Sequence, residues 1–138
     1  RFYLSDVGMF THQSGLNYER FLIDKDNALS GIYYENYIAT ELVARRYPLF
    51  YWKGKRSSEF EFIMNIDNSI VAIDAKRGKS NLNSLEEFRS HNKTDLVIKV
   101  SSNQYGYNEA QKLLTLPFYF FSFYLNGLES NSKSDEQN

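Results

Sequence analysis

Cysteine is missing from all 138 residues. That excludes a disulfide framework and zinc sites built on thiolates, and it suits a reducing compartment. No apolar run is long enough to cross a bilayer and no signal-peptide pattern opens the chain, so no membrane partner is expected and a cytoplasmic location is. A Gly-rich loop ending in Lys-Ser or Lys-Thr is also lacking, so these residues contain no phosphate cradle for ATP. There are only two prolines, Pro48 and Pro117, and few forced breaks follow from them. The chain opens on Arg1 rather than Met, and Phe2-Tyr3-Leu4 already reads as an ordered, strand-like element. The expectation is therefore a C-terminal piece of a longer intracellular protein.

What is present describes a folded domain. Hydrophobic residues make up 42% and charged residues 24%, too apolar for a disordered chain and long enough for one core. The net charge is −1 but unevenly spread: residues 45–79 hold eight of the sixteen Lys and Arg (Arg45, Arg46, Lys53, Lys55, Arg56, Lys76, Arg77, Lys79) against four acids (Glu59, Glu61, Asp67, Asp74). That window carries +4 and the remainder −5. A basic strip in a mildly acidic protein is a candidate phosphate-facing surface; the bland alternative is a solvated face with no partner.

Along the chain no internal repeat is visible. Residues 1–28 read as an irregular segment with a small helix near 17–22. Residues 29–46 form an amphipathic helix stopped before Pro48. Strands are expected at 49–53, 60–66 and 70–76, the last two joined around Asp67-Asn68-Ser69 as a hairpin. Leu82, Leu85 and Phe88 at helical spacing predict a helix over 83–91. A buried-type strand at 95–101, a short helix near 109–114 and an aromatic strand at 117–125 follow, and residues 129–138 form a polar tail expected to be disordered. Helix, three strands, helix, strand and a further strand define an α/β domain over 29–128, with one mixed central sheet flanked by helices.

The chemistry concentrates on four residues. Asp74 and Lys76, two apart on a strand, share a face. A carboxylate there can hold a hard cation, and a lysine can position or help deprotonate a water; a surface pair is the commoner meaning of this spacing. A two-residue turn at Asp67-Asn68 sets Glu61 opposite Asp74 and puts the pairs Phe60–Ala75, Phe62–Ile73 and Met64–Val71 on a core face. Two opposed carboxylates repel unless a cation lies between them. Glu35 falls on the apolar stripe of its helix among Gly31, Ile32, Ile38, Ala39 and Leu42, where an acid needs a partner: a metal shell, a lysine or backbone amides. Glu41, by contrast, can pair with Arg45 on the surface. Lys53, Lys55, Arg56, Arg77 and Lys79 bracket the acids where a phosphate backbone would need positive charge. Tyr51 and Trp52 can stack on bases or belong to the core. His12 and His91 have no partner motif.

The segments Phe2-Tyr3-Leu4-Ser5-Asp6-Val7-Gly8, Gly31-Ile32-Tyr33-Tyr34-Glu35-Asn36-Tyr37-Ile38-Ala39-Thr40-Glu41-Leu42, Tyr51-Trp52-Lys53, Ser58-Glu59-Phe60-Glu61-Phe62 and Ile73-Asp74-Ala75-Lys76-Arg77-Gly78, followed by Gly106-Tyr107 and Leu116-Pro117-Phe118-Tyr119, occur in this order. Together they resemble the domain that follows the ATPase core in prokaryotic AAA-type, DEXX-box ATPases, over nearly the whole chain except the tail. The resemblance implies a restriction-endonuclease-like, PD-(D/E)XK core, with Glu35 as the helix acid, Glu61 as the second-strand acid and Asp74 with Lys76 as the third-strand pair. That family usually has Asp where Glu61 stands and Glu where Asp74 stands, so the reach of the two acids is exchanged by one methylene.

Two functions are expected from this. The first is metal-dependent hydrolysis of nucleic-acid phosphodiesters, with Mg²⁺ or Mn²⁺ on Glu35, Glu61 and Asp74, and with Lys76, Asp74 and Glu61 as the catalytic group. The second is a non-catalytic module that binds DNA or RNA, or docks partners, and regulates the ATPase. Under both, the protein's own ATPase core is a partner and ATP binds only there. An apolar patch near residues 2–22 (Phe10, Leu16, Tyr18, Phe21, Leu22) is expected where that core joins, to be hidden by self-association in its absence.

Overall fold

The computed structural model describes residues 3–13, 15, 28–55, 59–66, 68–75, 82–92, 94–102 and 104–135. Its elements are α1 (Val7–Gln13), α2 (Ala28–Ala44), β1 (Phe50–Lys53), β2 (Glu59–Ile66), β3 (Ser69–Ala75), α3 (Leu82–His91), β4 (Leu96–Ser101), β5 (Gly106–Asn108), β6 (Leu113–Pro117), a single 3₁₀ turn (Phe118–Phe120) and α4 (Phe121–Asp135). The six strands form one sheet in the order β1-β2-β3-β4-β6-β5. β1, β2 and β3 are an antiparallel meander, β4 and β6 run parallel to β3, and β5 closes the edge antiparallel to β6. The expected α/β layout with one mixed sheet is present.

Alternation along the strands sorts side chains into two cores. One face carries Phe62, Met64, Val71, Ile73, Ala75, Ile98, Val100, Leu114 and Leu116, covered by Tyr34, Ile38, Ala39 and Leu42 of α2 and by Phe121 and Leu125 of α4. The other carries Phe60, Ala72 and Val97 beneath Leu85 and Phe88 of α3. Trp52 packs edge-on and Phe60 tilted against Phe88, with ring centroids 5.1 and 5.0 Å away. β3 and β4 are thus buried on both faces, which is why they read as nearly unbroken apolar runs.

The local chemistry explains the boundaries. Arg46 has φ 63°; its amide bonds the Val43 carbonyl and the Tyr47 amide bonds the Leu42 carbonyl, the paired closure of a helix end around a left-handed residue. The β2–β3 hairpin has the two-residue turn expected at 67–68: Ile66 pairs with Ser69 and Asn68 takes φ 64°, a conformation that asparagine tolerates. Glu41 and Arg45 pair at 2.8 Å as the spacing predicts. The same guanidinium donates to Oγ of Ser122 and Oδ1 of Asn126, fastening α4 to α2.

Four expectations are corrected. Tyr3-Leu4 is not a strand; the Asn36 side chain accepts from the Leu4 amide at 2.8 Å and donates to its carbonyl at 3.1 Å, doing the work of a strand partner. Residues 109–114 are not a helix, because Asn108 Oδ1 accepts from the Gln111 amide and Lys112, at φ 41°, turns the chain into β6. The aromatic run 117–125 is not a strand. Pro117 opens a 3₁₀ turn, and Phe118, Phe121, Leu125 and Leu128 follow helical spacing toward the core. The tail is not irregular from residue 129, since α4 continues through Asp135. The small helix expected at 17–22, Leu16, Tyr18, Phe21, Leu22 and the side chain of Phe10 lie outside the described residues. An unexpected α1 precedes them, capped by Asp6, whose carboxylate accepts from the Met9 amide.

Two measurements check this packing. A Cβ at Gly54 would stand 2.4 Å from the Trp52 ring and 2.7 Å from the Glu87 carboxylate, so Gly54→Ala is expected to lower the thermal midpoint by roughly 3–4 °C, the shift of about 1 kcal/mol in a domain of this size. Burial raises the pKa of the Tyr37 phenol, with the Glu41 carboxylate adding to it, and burial likewise raises that of Tyr124. A phenol raised in the folded state contributes stability that is complete below its unfolded pKa of about 10 and is lost as pH climbs through the folded value. Urea midpoints should therefore be flat in this contribution at neutral pH and fall in the alkaline range, less steeply in Tyr37→Phe.

Candidate functional site

The sequence-predicted acids meet the sheet at an irregularity. Phe50 pairs with Ile63 but Trp52 pairs with Phe60, so β2 carries one extra residue, a β-bulge at Glu61-Phe62. The bulge breaks the alternation. Phe60 turns to the α3 core, whereas Phe62 and Ala75 belong to the α2 core. The expected Phe60–Ala75 pair on one face is therefore not formed, although Phe62–Ile73 and Met64–Val71 are in register as expected.

Glu61 sits at the bulge, only 4% exposed, and its Oε2 accepts from the Ala75 amide at 3.3 Å. The carboxylate does locally what a ladder carbonyl does elsewhere in β2, satisfying a buried donor. This brings Glu61 beside the Asp74-Ala75 peptide. Asp74 is also buried, at 6% exposed, and alternation with Ala72 places it on the α3 face. Across that face Asp74 is the register partner of Lys99, and Lys99 of Thr115. Lys99 is likewise 6% exposed. A polar row thus runs over three parallel strands, one step beyond the apolar row Ala72–Val97–Leu113, with the fully buried Ser101 further along β4.

Glu35 stands apart from this row. It is half-buried on α2, on the arc between Leu42 and Ala39, and α2 covers the opposite face of the sheet. Among the described residues no three His, Asp or Glu side chains form a group able to hold a metal ion. Glu35, Glu61 and Asp74 are not brought together as such a group.

Lys53 and Lys55 are exposed at the end of edge strand β1 and in the loop after it; Lys53 is the register partner of Glu59, and the Lys55 amide donates to Glu87 Oε1 at 2.6 Å. Lys76, Arg56, Arg77 and Lys79 lie outside the described residues. Trp52 is a core residue, whereas Phe50 and Tyr51 are 57% and 69% exposed.

Sequence reasoning missed Lys99. Its signal was present: a lysine inside Leu96-Val97-Ile98-Lys99-Val100 interrupts a strand buried on both faces, and a charge there requires a partner. It missed Asn36 as well, which looks like an ordinary polar position on a helix and is assigned only by the distant Leu4 backbone.

Residues 30–119 match the family model DUF4143, domain of unknown function. The chain belongs to that family, whose domain is typically found in AAA-ATPase-associated proteins. No curated protein and no solved structure matches the chain. Among the described residues no helix is long and apolar enough to cross a membrane.

The role assigned to Glu61 is open to direct measurement. Glu61→Ala strands the buried Ala75 amide and is expected to cost about 1–3 kcal/mol in urea unfolding. Glu61→Gln keeps an acceptor in place and should cost less. Equal losses for the two would show that the hydrogen bond is not what Glu61 contributes.

Proposed function

We propose that this domain is a non-catalytic nucleic-acid-binding module of an AAA-type ATPase, built on a restriction-endonuclease-like scaffold. The order helix, antiparallel meander, helix, parallel strand supports the scaffold. The observation that carries the binding reading is edge strand β1, which exposes Phe50 and Tyr51 beside Lys53 and Lys55. Aromatic faces stack on unpaired bases of any sequence while lysines follow the phosphates, so a single strand suits this edge better than a duplex. A regulatory role toward the ATPase core follows from the family's association and belongs to the same proposal.

The second reading is hydrolysis of phosphodiesters with Mg²⁺ or Mn²⁺. One observation favours it: Glu61 and Asp74 are brought next to each other at the end of β3. Its third ligand, Glu35, lies on α2 over the other face, and among the described residues no three acids are grouped to hold a cation.

The full-length protein should bind a labelled single-stranded oligonucleotide in fluorescence anisotropy, more weakly as salt rises, with the logarithmic slope falling by about 0.7 for each phosphate contact removed. Tyr51→Ala should weaken binding about 5–150-fold, the range of one lost stack, and Lys53→Glu with Lys55→Glu should flatten the salt slope. With Mg²⁺ or Mn²⁺ added the oligonucleotide should stay intact. Cleavage lost in Asp74→Asn would return the nuclease reading; absence of binding at low salt would leave protein docking as the function.

A further inference from the structure

The carboxyl ends of β4 and β6 open onto a cavity of about 430 Å³, lined by Gln104, Tyr105, Pro117, Tyr119 and Phe120. We propose that this cavity is a subsite for one unpaired nucleobase. The inference deepens the single-strand reading and rests on it for the source of the base, since a free nucleoside presents the same ring.

Three observations carry it. The first is place. Ser101 and Pro117 are register partners at the ends of adjacent parallel strands. Gln104 and Tyr105 follow the first, and Tyr119 and Phe120 lie in the 3₁₀ turn after the second. On one side of β4 the chain leaves β3 for α3, and on the other it leaves β6 for α4, helices that cover opposite faces. Open α/β sheets bind ligands at such a divergence, outside the carboxyl ends of the strands. The second is composition. Residues 101–108 and 113–128 contain no charged side chain, which suits an uncharged ring and not a phosphate. Tyr105 and Tyr119 are 65% and 66% exposed and Phe120 is 43% exposed, so ring surface is available for stacking. The Gln104 amide supplies a donor and an acceptor, which is what a base edge pairs with. The third is reach. β1 is antiparallel to β2, and β2 to β3, so Lys53 closes β1 at the same end of the sheet as the cavity. Four strand spacings separate β1 from β6, about 19 Å at about 4.8 Å each. A short single strand crosses that span with its phosphates at the lysines and a base in the cavity.

Thymidine is the first probe, because an ATPase core would also take an adenine nucleoside. Saturation transfer from the full-length protein to thymidine should be seen by NMR and should be lost in Tyr119→Ala. It should persist in Tyr107→Ala, which removes a ring 55% exposed on β5 outside the cavity. A labelled oligothymidylate should bind Tyr119→Ala about 5–150-fold more weakly with its salt slope unchanged, because a stack is lost and no phosphate contact is. Loss of the thymidine signal with unaltered oligonucleotide binding would assign the cavity to a free nucleoside. If thymidine and the oligonucleotide are both indifferent to Tyr119→Ala, the inference is overturned, and the edge reading still stands where Tyr51→Ala weakens the oligonucleotide. Thymidine held through Tyr119 with no oligonucleotide binding would sink the edge reading alone.

Discussion

The arrangement of this domain depends on one extra residue in β2. A strand that alternated faithfully from Glu59 to Ile66 would turn Phe60 to the same face as Phe62. The bulge at Glu61-Phe62 sends Phe60 to the other side, where it completes the aromatic group with Trp52 and Phe88 that seats α3. It also removes a backbone acceptor next to Ala75 and puts the Glu61 carboxylate in its place. Packing of one layer and the fate of one acid are two outcomes of the same irregularity, which is how bulges near functional positions commonly act.

Much of the meander was legible because local rules sufficed. Asp67-Asn68 between two apolar runs fixes the hairpin, and the hairpin fixes its register. The long helix was legible from its stripe and from Pro48. What was not legible depended on distant partners or on a choice between periods. The run from Phe118 to Leu125 is rich in strand-favouring aromatics, but its core contacts fall at Phe118, Phe121 and Leu125, and tertiary packing selects the helix over the propensity. Leu4 acquires its partner only when α2 brings Asn36 alongside. The bulge is invisible to any argument from strict alternation, so Phe60 was expected on the wrong face, and Lys99, the register partner of Asp74 on β4, was not considered.

That lysine changes the meaning of the acids. Carboxylates clustered in a sequence suggest a bound ion by default, because like charges need something between them. In a folded sheet the residue opposite in register shares that place, and opposite Asp74 it is Lys99. The family resemblance and the strand order describe a scaffold. The register across β3, β4 and β6 describes what this particular chain does with it.

The loop after β1 holds its lysine in an unusual way. Gly54 lies so close to Trp52 and Glu87 that a side chain there would have to displace them, and the Lys55 backbone amide, not its ammonium, is bonded to Glu87. The acid of α3 therefore anchors the base of the lysine while its side chain remains exposed. A ligand arriving at this edge finds the backbone already ordered and only the side-chain torsions left to settle, so less conformational freedom is lost on contact than with a loose basic loop. The position of the charge is set by the interior of the protein, and its reach is left to the solvent.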